Sequence, residues 1–168
     1  GADILDIGGE STRPGSPPLG LDEELARVVP LVRDAVTLGV PISVDTYKPE
    51  VMQAVLDLGA DIVNDIWALR QPGAAAVVAA HPRCGVCLMH MHRDPQTMQV
   101  APMAGDVVSD VLSFLKHSAL DLQALGVEKD RIVLDPGIGF GKTVEQNFAL
   151  LARQPSLQAA GYPLLAGW

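Results

Sequence analysis

The sequence has little positive charge, few cysteines and no long apolar run, and each shortage excludes a class of protein. Twelve Lys and Arg stand against 20 Asp and Glu, a formal charge of −8 that disfavours nucleic acid or an anionic membrane surface as a partner. Two cysteines, Cys84 and Cys87, are too few for a disulfide framework and indicate a reducing compartment. No apolar run approaches the roughly 20 residues that cross a bilayer. We therefore expect a soluble, cytoplasmic domain with neither nucleic acid nor membrane as a partner.

The length of 168 residues and the 48% hydrophobic content suit one folded domain, although both ends suggest a longer parent. The sequence Gly-Ala-Asp-Ile occurs at 1–4 and again at 59–62, where Gly59 ends a helical pattern and a strand-like run follows. By the same logic, a helix would precede Gly1. The chain begins without Met and ends at Trp168, which closes an apolar run. We expect one domain over 1–168 that is truncated at both ends.

Short apolar runs alternate with longer helical patterns along the whole chain. The runs are β-branched or aliphatic without strict alternation, which is typical of strands covered on both faces. Repeated strand–helix units predict a parallel sheet, either open or closed into a barrel. The predicted helices cover about 21–36, 49–58, 73–80, 106–125 and a segment from 145. The predicted strands are Asp3–Ile7, Pro41–Val44, Asp61–Ile66, Val86–Met89, Arg131–Leu134 and Pro163–Ala166.

Polar residues collect where the predicted strands end, which is how barrels and open α/β sheets build their sites. Asp45, Asn64 and Asp135 come from three such ends and would converge. Since a carboxylate accepts two parallel N–H bonds from an amidine-like edge, this set favours a planar, nitrogen-rich ring as the ligand. Asp45 could instead cap the helix that follows it. Apolar walls would come from Ile66, Met89 and Phe140.

Three further features allow more than one interpretation. Cys84, Cys87, His90 and His92 have the spacing of zinc ligands, but Cys87 and His90 would point to opposite faces of a strand, so we interpret the cysteines as packing residues. The Gly-rich segment 137–143 is one residue too short for a P-loop and predicts a ligand-facing loop. Arg13 lies in a Gly- and Pro-flanked loop, where it would either bind a phosphate or stay solvated.

Six motifs lie in order along the chain, at 6–15, 43–46, 48–51, 64–66, 87–91 and 135–142. Together they resemble the dihydropteroate synthases, pterin-binding enzymes of folate biosynthesis that sulfonamides inhibit. The resemblance implies a (β/α)8 TIM barrel, of which this chain would hold about strands 2–7, since such a barrel usually needs about 250 residues. It implies a transferase that joins a dihydropterin diphosphate to p-aminobenzoate, releases pyrophosphate and forms a homodimer.

The resemblance also implies a role for each matching residue. Asp135 would hold the amino-pyrimidine edge of the pterin, Asp45 and Asn64 its other ring nitrogens, and Ile66 and Met89 its faces. Asp45 and Arg13 would act in catalysis, by stabilising charge on the pterin and on the departing diphosphate. The loop that closes over diphosphate and p-aminobenzoate would contain Thr12, Arg13 and Pro14, with Phe140 against the benzoate ring.

Parts of the family pattern are missing from this sequence. An amino-terminal motif supplies the Asn that binds Mg²⁺ in the family, and a Ser-Arg-Lys stretch follows the last strand predicted here; the sequence has neither. We therefore expect no metal ligand within the 168 residues and no turnover by this piece alone. Two alternatives stay open, namely a pterin-binding methyltransferase domain and a non-catalytic pterin-binding barrel remnant.

Overall fold

Parallel strands alternate with helices throughout the computed structural model, which describes residues 1–98 and 100–167 and therefore leaves Trp168 outside the described residues. The strands are β1 (Leu5–Gly8), β2 (Ile42–Asp45), β3 (Ile62–Asp65), β4 (Gly85–Met89) and β5 (Ile132–Asp135). The helices are α1 (Leu21–Ala35), α2 (Pro49–Leu58), α3 (Ala74–Ala80), α4 (Val107–Ala124), α5 (Val144–Ala152) and α6 (Gln154–Gln158). Short 3-10 turns follow α1 at Val36–Leu38 and precede β5 at Lys129–Arg131.

The five strands pair in sequence order, β1-β2-β3-β4-β5, and every pair is parallel. This winding, with helices between consecutive strands, is that of a (β/α)8 barrel, so the predicted fold class is confirmed as part of such a barrel. The sixth predicted strand is wrong as a strand. Leu164 forms a single parallel bridge to Leu134, because the segment bonds β5 only through the Pro163 carbonyl and the Leu165 N–H.

Local sequence signals explain where the helices begin and end. Pro49 opens α2, and Gly59, at a φ of +105°, closes it in the left-handed conformation that glycine tolerates. The α5 helix begins with a capping box, in which Thr143 and Gln146 exchange side-chain and backbone hydrogen bonds. The short helix α6 is absent from the sequence-based prediction, since its five residues carry no apolar periodicity.

The core lies between the sheet and the helices. One face of each strand packs against this core, and the other face points to the interior of the partial barrel. Val44, Val63, Leu88 and Leu134 are at most 1% exposed and pack towards the helices. Because successive side chains alternate, the residue after each of these in β2, β3, β4 and β5 points to the interior of the partial barrel. No described helix is long and apolar enough to cross a membrane.

Candidate functional site

Interior side chains at the carboxyl edge of the sheet form two interleaved layers. Register pairs Asp45 with Asn64 on the next strand, and Met89 with Asp135. In an eight-stranded barrel with a shear number of 8, each strand is shifted by about one residue relative to the strand before it. Inward-pointing side chains at one height of the barrel therefore come from alternate strands. The stagger places Asn64 and Asp135 in one layer and Asp45 and Met89 in the next. The structure thus brings together four of the predicted pterin-binding residues.

Asp45 is a half-buried interior carboxyl group and not a helix cap. The residue at the N-cap of α2 is Lys48, and its side chain makes no capping hydrogen bond. Burial raises the pKa of Asp45 to about 7, and four neighbouring carboxylates add to the rise: Asp6, Asp65, Glu24 and Glu10. Asp45 therefore exchanges a proton near neutral pH unless a ligand supplies hydrogen-bond donors.

Asn64 and Asp65 are adjacent in sequence but serve different faces of β3. The Nδ2 of Asn64 donates to Oδ2 of Asp6 on β1 at 3.1 Å, inside the partial barrel. Asp65 is 0% exposed and accepts hydrogen bonds from the N–H groups of Trp67 and Leu69, both at 2.8 Å. Burial raises the pKa of Asp65 to about 6, although these bonds oppose the rise. Asp65 is therefore a structural brace for the loop after β3, and Asn64 is the ligand-facing residue.

Asp135 begins the Gly-rich loop and is fixed by its backbone. Its Oδ1 accepts from the N–H of Gly137 at 2.7 Å, and burial raises its pKa to about 6. The buried Lys142 closes the loop, donating from Nζ to the carbonyl oxygens of Gly137, Phe140 and His90 at 2.7, 3.1 and 3.2 Å. Burial lowers the pKa of Lys142 to about 7, against the pull of Asp135. The bonds from Lys142 and Gly137 therefore hold the loop together around Asp135, whereas the ligand-facing role of the loop stays a prediction.

An apolar cluster lies beside these polar groups. Ile66, Met89, Met91 and Met98 are each at most 4% exposed, and Tyr47, Trp67 and Phe140 pack against them. Three of the predicted wall residues, Ile66, Met89 and Phe140, thus belong to one cluster. It provides apolar surface next to the carboxyl and amide groups, as a site for an aromatic ring requires.

Thr12, Arg13 and Pro14 lie in a surface loop, apart from the interior layers. Arg13 and Pro14 are exposed and Thr12 is half-buried. The loop contacts the segment after β4, through the Gly15 N–H and the Pro95 carbonyl at 3.2 Å and through Gln96 Nε2 and the Ser16 carbonyl at 3.4 Å. The structure therefore holds Arg13 at the carboxyl edge, without joining it to Asp45 or Asp135.

A buried charge network holds the base of this loop, and sequence reasoning missed it. Lys48 Nζ bonds Glu10 at 2.5 Å and also bonds Glu24, which is 1% exposed. Thr46 Oγ1 donates to Glu24 at 2.7 Å, and the Tyr47 hydroxyl donates to Glu10 at 2.9 Å. We call these five residues the loop anchor. Glu24 lies within the apolar stripe of α1, and a charged residue at such a position was the sequence signal that could have indicated a buried ion pair.

The cysteines and histidines around β4 do not form a metal site. Cys84 and Cys87 are buried thiols, and burial raises the pKa of Cys84 to about 11 and that of Cys87 well above its ordinary value. His90 points outward, with its ring edge-on to Phe114 of α4 at 5.0 Å between centroids. Over residues 1–98 and 100–167, no three or more His, Cys, Asp or Glu side chains are placed to hold a metal ion.

Comparison with known proteins gives consistent matches over the whole chain. Residues 1–168 match the family described as pterin binding enzyme. The dihydropteroate synthase of Neisseria meningitidis serogroup C is 47% identical over 169 residues, which cover 99% of this chain and 60% of that protein. The crystal structure of Burkholderia cenocepacia dihydropteroate synthase complexed with 7,8-dihydropteroate is 56% identical, with a TM-score of 0.92 over 100% of this chain and 62% of that one. The Yersinia pestis dihydropteroate synthase with a sulfonamide drug complex is 43% identical, with a TM-score of 0.95 over 99% of this chain and 61% of that one. The chain spans about 60% of the length of the curated relatives it matches.

Proposed function

The chain belongs to the pterin-binding enzymes, and we propose that the protein containing it is a dihydropteroate synthase. It joins 6-hydroxymethyl-7,8-dihydropterin diphosphate to p-aminobenzoate and releases pyrophosphate. The observation that carries this proposal is the interior set of Asp45, Asn64 and Asp135 at one edge of the sheet, beside an apolar cluster.

The geometry suits a pterin ring. Asp135 has one oxygen fixed by the Gly137 N–H, which leaves the carboxyl group oriented to accept from the amino-pyrimidine edge. Asp45 and Asn64 supply acceptors on neighbouring strands, and Ile66 and Met89 supply apolar contact. N–H donors from a bound ring favour the ionised carboxylates, so binding would lower the raised pKa values of Asp45 and Asp135.

The reaction is a displacement at the methylene carbon of the pterin. The amino nitrogen of p-aminobenzoate forms a C–N bond to that carbon, the C–O bond to the diphosphate breaks, and the nitrogen releases its proton to solvent. The nitrogen is already a competent nucleophile and needs no activating base. Ionised Asp45 would stabilise positive charge that develops on the pterin, which acts on the transition state more than on the bound substrate.

The surface loop would complete the site around the second substrate and the leaving group. Arg13, with Thr12 and Pro14, would close over the diphosphate, where a guanidinium binds phosphate oxygens in a bidentate manner. The loop anchor fixes the base of this loop, so closure over the diphosphate would displace only its tip. Phe140, already in the apolar cluster, would contact the benzoate ring.

Mg²⁺ is part of the proposal as a counter-ion of the diphosphate. Magnesium in such sites is bound by one or two carboxylates together with substrate phosphates. The residues that the structure describes do not form a metal site by themselves, so no residue is assigned to the ion.

Other parts of the proposal rest on the relatives and on the family resemblance. The synthase function is favoured over a pterin-dependent methyltransferase because the matched relatives are dihydropteroate synthases. Sulfonamide inhibition is proposed from the drug complex of the Yersinia pestis relative. A homodimer and a cytoplasmic location, where buried thiols such as Cys84 stay reduced, complete the proposal.

The test is an assay of pyrophosphate release by the full-length gene product that contains these residues. Both substrates are supplied with and without a sulfonamide, and sedimentation measures the oligomeric state. We expect release that requires both substrates and Mg²⁺ and that the sulfonamide suppresses. Pterin binding without pyrophosphate release would instead support the non-catalytic remnant and contradict the synthase proposal.

A further inference from the structure

Asp6 is a solvent-exposed carboxylate on the barrel-facing side of β1 that neither the relatives nor the assigned roles explain. It pairs with Ser43 across β1 and β2, and Ser43 pairs with Ile62 of β3. Asp6 therefore lies in register with Ile62 of β3. A shift of one residue per strand over two strands then brings Asp6 to the height of Asn64, two residues after Ile62. The hydrogen bond of 3.1 Å between Asn64 Nδ2 and Asp6 Oδ2 shows that they do meet there.

A hydrogen bond between an amide and a carboxylate can run in only one direction, from the amide nitrogen to the carboxylate oxygen. A carboxylate accepts hydrogen bonds and cannot donate one, so the amide nitrogen of Asn64 must face Asp6. The carbonyl oxygen of Asn64 therefore points away from Asp6. Without such a partner, an asparagine amide can rotate by half a turn and offer either its donor or its acceptor to a ligand.

We propose that Asp6 is a positioning residue that makes Asn64 a fixed hydrogen-bond acceptor for a ring N–H of the bound pterin. This inference rests on the proposed function, because it names the ligand of the same site. Asp45, Asn64 Oδ1 and Asp135 would then each present an oxygen acceptor to a reduced, N–H-rich ring.

Asp6 also acts on Asp45 by charge. Four carboxylates on the surrounding elements raise the pKa of Asp45 through their charge: Asp6 on β1, Asp65 on β3, Glu24 on α1 and Glu10 in the loop after β1. Of these, Asp6 lies on the same interior side of the sheet as Asp45. The thiol of Cys87 on β4 lies in the field of Asp45 and Asp6 as well. Loss of the Asp6 charge removes one of these repulsions and would make Asp45 easier to ionise.

The test compares Asp6→Asn with Asp3→Asn in the full-length gene product. Asp3 is an exposed carboxylate before the other end of β1, so its substitution removes the same charge outside the site. Asp6→Asn replaces a charged group, which can only accept hydrogen bonds, by an amide, which can present either polarity to Asn64. We expect it to raise the KM for the pterin substrate about tenfold, within the range of a hydrogen bond to a charged group, and to leave the KM for p-aminobenzoate unchanged. The acidic limb of the pH profile of kcat/KM should move to lower pH, which a merely structural role would not cause. Asp3→Asn should change neither quantity.

A double-mutant cycle with Asn64→Ala tests whether Asp6 acts through Asn64. In the Asn64→Ala background, Asp6→Asn should raise the pterin KM less than twofold; a full tenfold effect there would overturn the inference. Unchanged pterin KM and pH limb in Asp6→Asn would also overturn it. If Asp6→Asn fails to fold, the pterin affinity of Asp6→Ala, measured by calorimetry with and without Asn64→Ala, gives the same comparison. If the wild-type protein binds pterin and makes no dihydropteroate, the synthase function fails while the binding comparison still decides the role of Asp6.

Discussion

Gly137 sets the geometry around Asp135, and its replacement by alanine gives the sharpest test of the site's framework. Its φ is +66°, and a Cβ there would overlap the carbonyl oxygen of His90 and lie 3.0 Å from the carbonyl carbon. The N–H of Gly137 also donates to Asp135. A methyl group at this position must therefore push the end of β4 away from the loop and pull the N–H off Asp135.

The size of the effect follows from two contributions. A left-handed conformation costs alanine about 1 to 2 kcal/mol relative to glycine. Displacement of packed backbone adds about 1–3 kcal/mol, so Gly137→Ala should lower the free energy of unfolding by about 3 kcal/mol or more. Gly139 has a φ of +86° in the same loop, but a Cβ there meets nothing within 4 Å. Gly139→Ala should therefore cost only the conformational part, about 1 kcal/mol.

Urea unfolding of the full-length gene product measures both variants, and calorimetry measures their pterin affinity. Gly137→Ala should lose stability and affinity together, because the same displacement frees Asp135. Gly139→Ala should keep the affinity close to that of the wild type. Equal losses of stability in the two variants would show that the contact with His90 does not constrain the loop, and would refute the reasoning.

Three further substitutions test the charged groups. Lys48→Met leaves Glu24 buried without its cation and should lower the free energy of unfolding by about 3–5 kcal/mol in urea titrations. Its control, Arg27→Met, breaks the exposed Arg27–Glu23 pair and should lower the same free energy by about 1 kcal/mol or less. Asp135→Asn should weaken pterin binding about 10- to 100-fold by calorimetry, with the exposed Asp130→Asn as its matched control; equal affinities would contradict the assigned role. The pKa of Asp45 rises from 3.8 to about 7 on folding, so the folded state retains a proton that the unfolded chain releases. The free energy of unfolding should therefore fall as pH rises from about 4 to about 7, and Asp45→Asn should flatten that slope.

The order of strands and helices was predictable because it depends on local patterns. Helix α2 begins at Pro49 and ends before Gly59 as expected, and α4 covers Val107–Ala124 against a predicted 106–125. The last apolar run, Pro163–Ala166, has the composition of a strand but makes only a bridge. The composition of a segment indicates whether it can form a β-strand. Whether it does so depends on which backbone groups of other segments lie beside it.

The faces of the strands were harder to predict, and the candidate site depends on them. Strands covered on both sides are apolar throughout, so the sequence shows no alternation that tells Asn64 from Asp65. The two are distinguished by their contacts in the fold: Asn64 bonds Asp6, 58 positions away, whereas Asp65 bonds the turn that directly follows it.

The groups that sequence reasoning missed all act on residues far away in the chain. Lys48 bonds Glu10, 38 positions before it, and Glu24, 24 positions before it, and neither partner can be identified from the sequence around Lys48. Burial makes the difference, since a carboxylate that is 1% exposed is stable only with its cation in place. The acidic excess of the chain is therefore not a solvated surface alone. Part of it lies in and around the partial barrel, where burial and neighbouring carboxylates raise the pKa of Asp45, so that this group would respond to the N–H donors of a ligand.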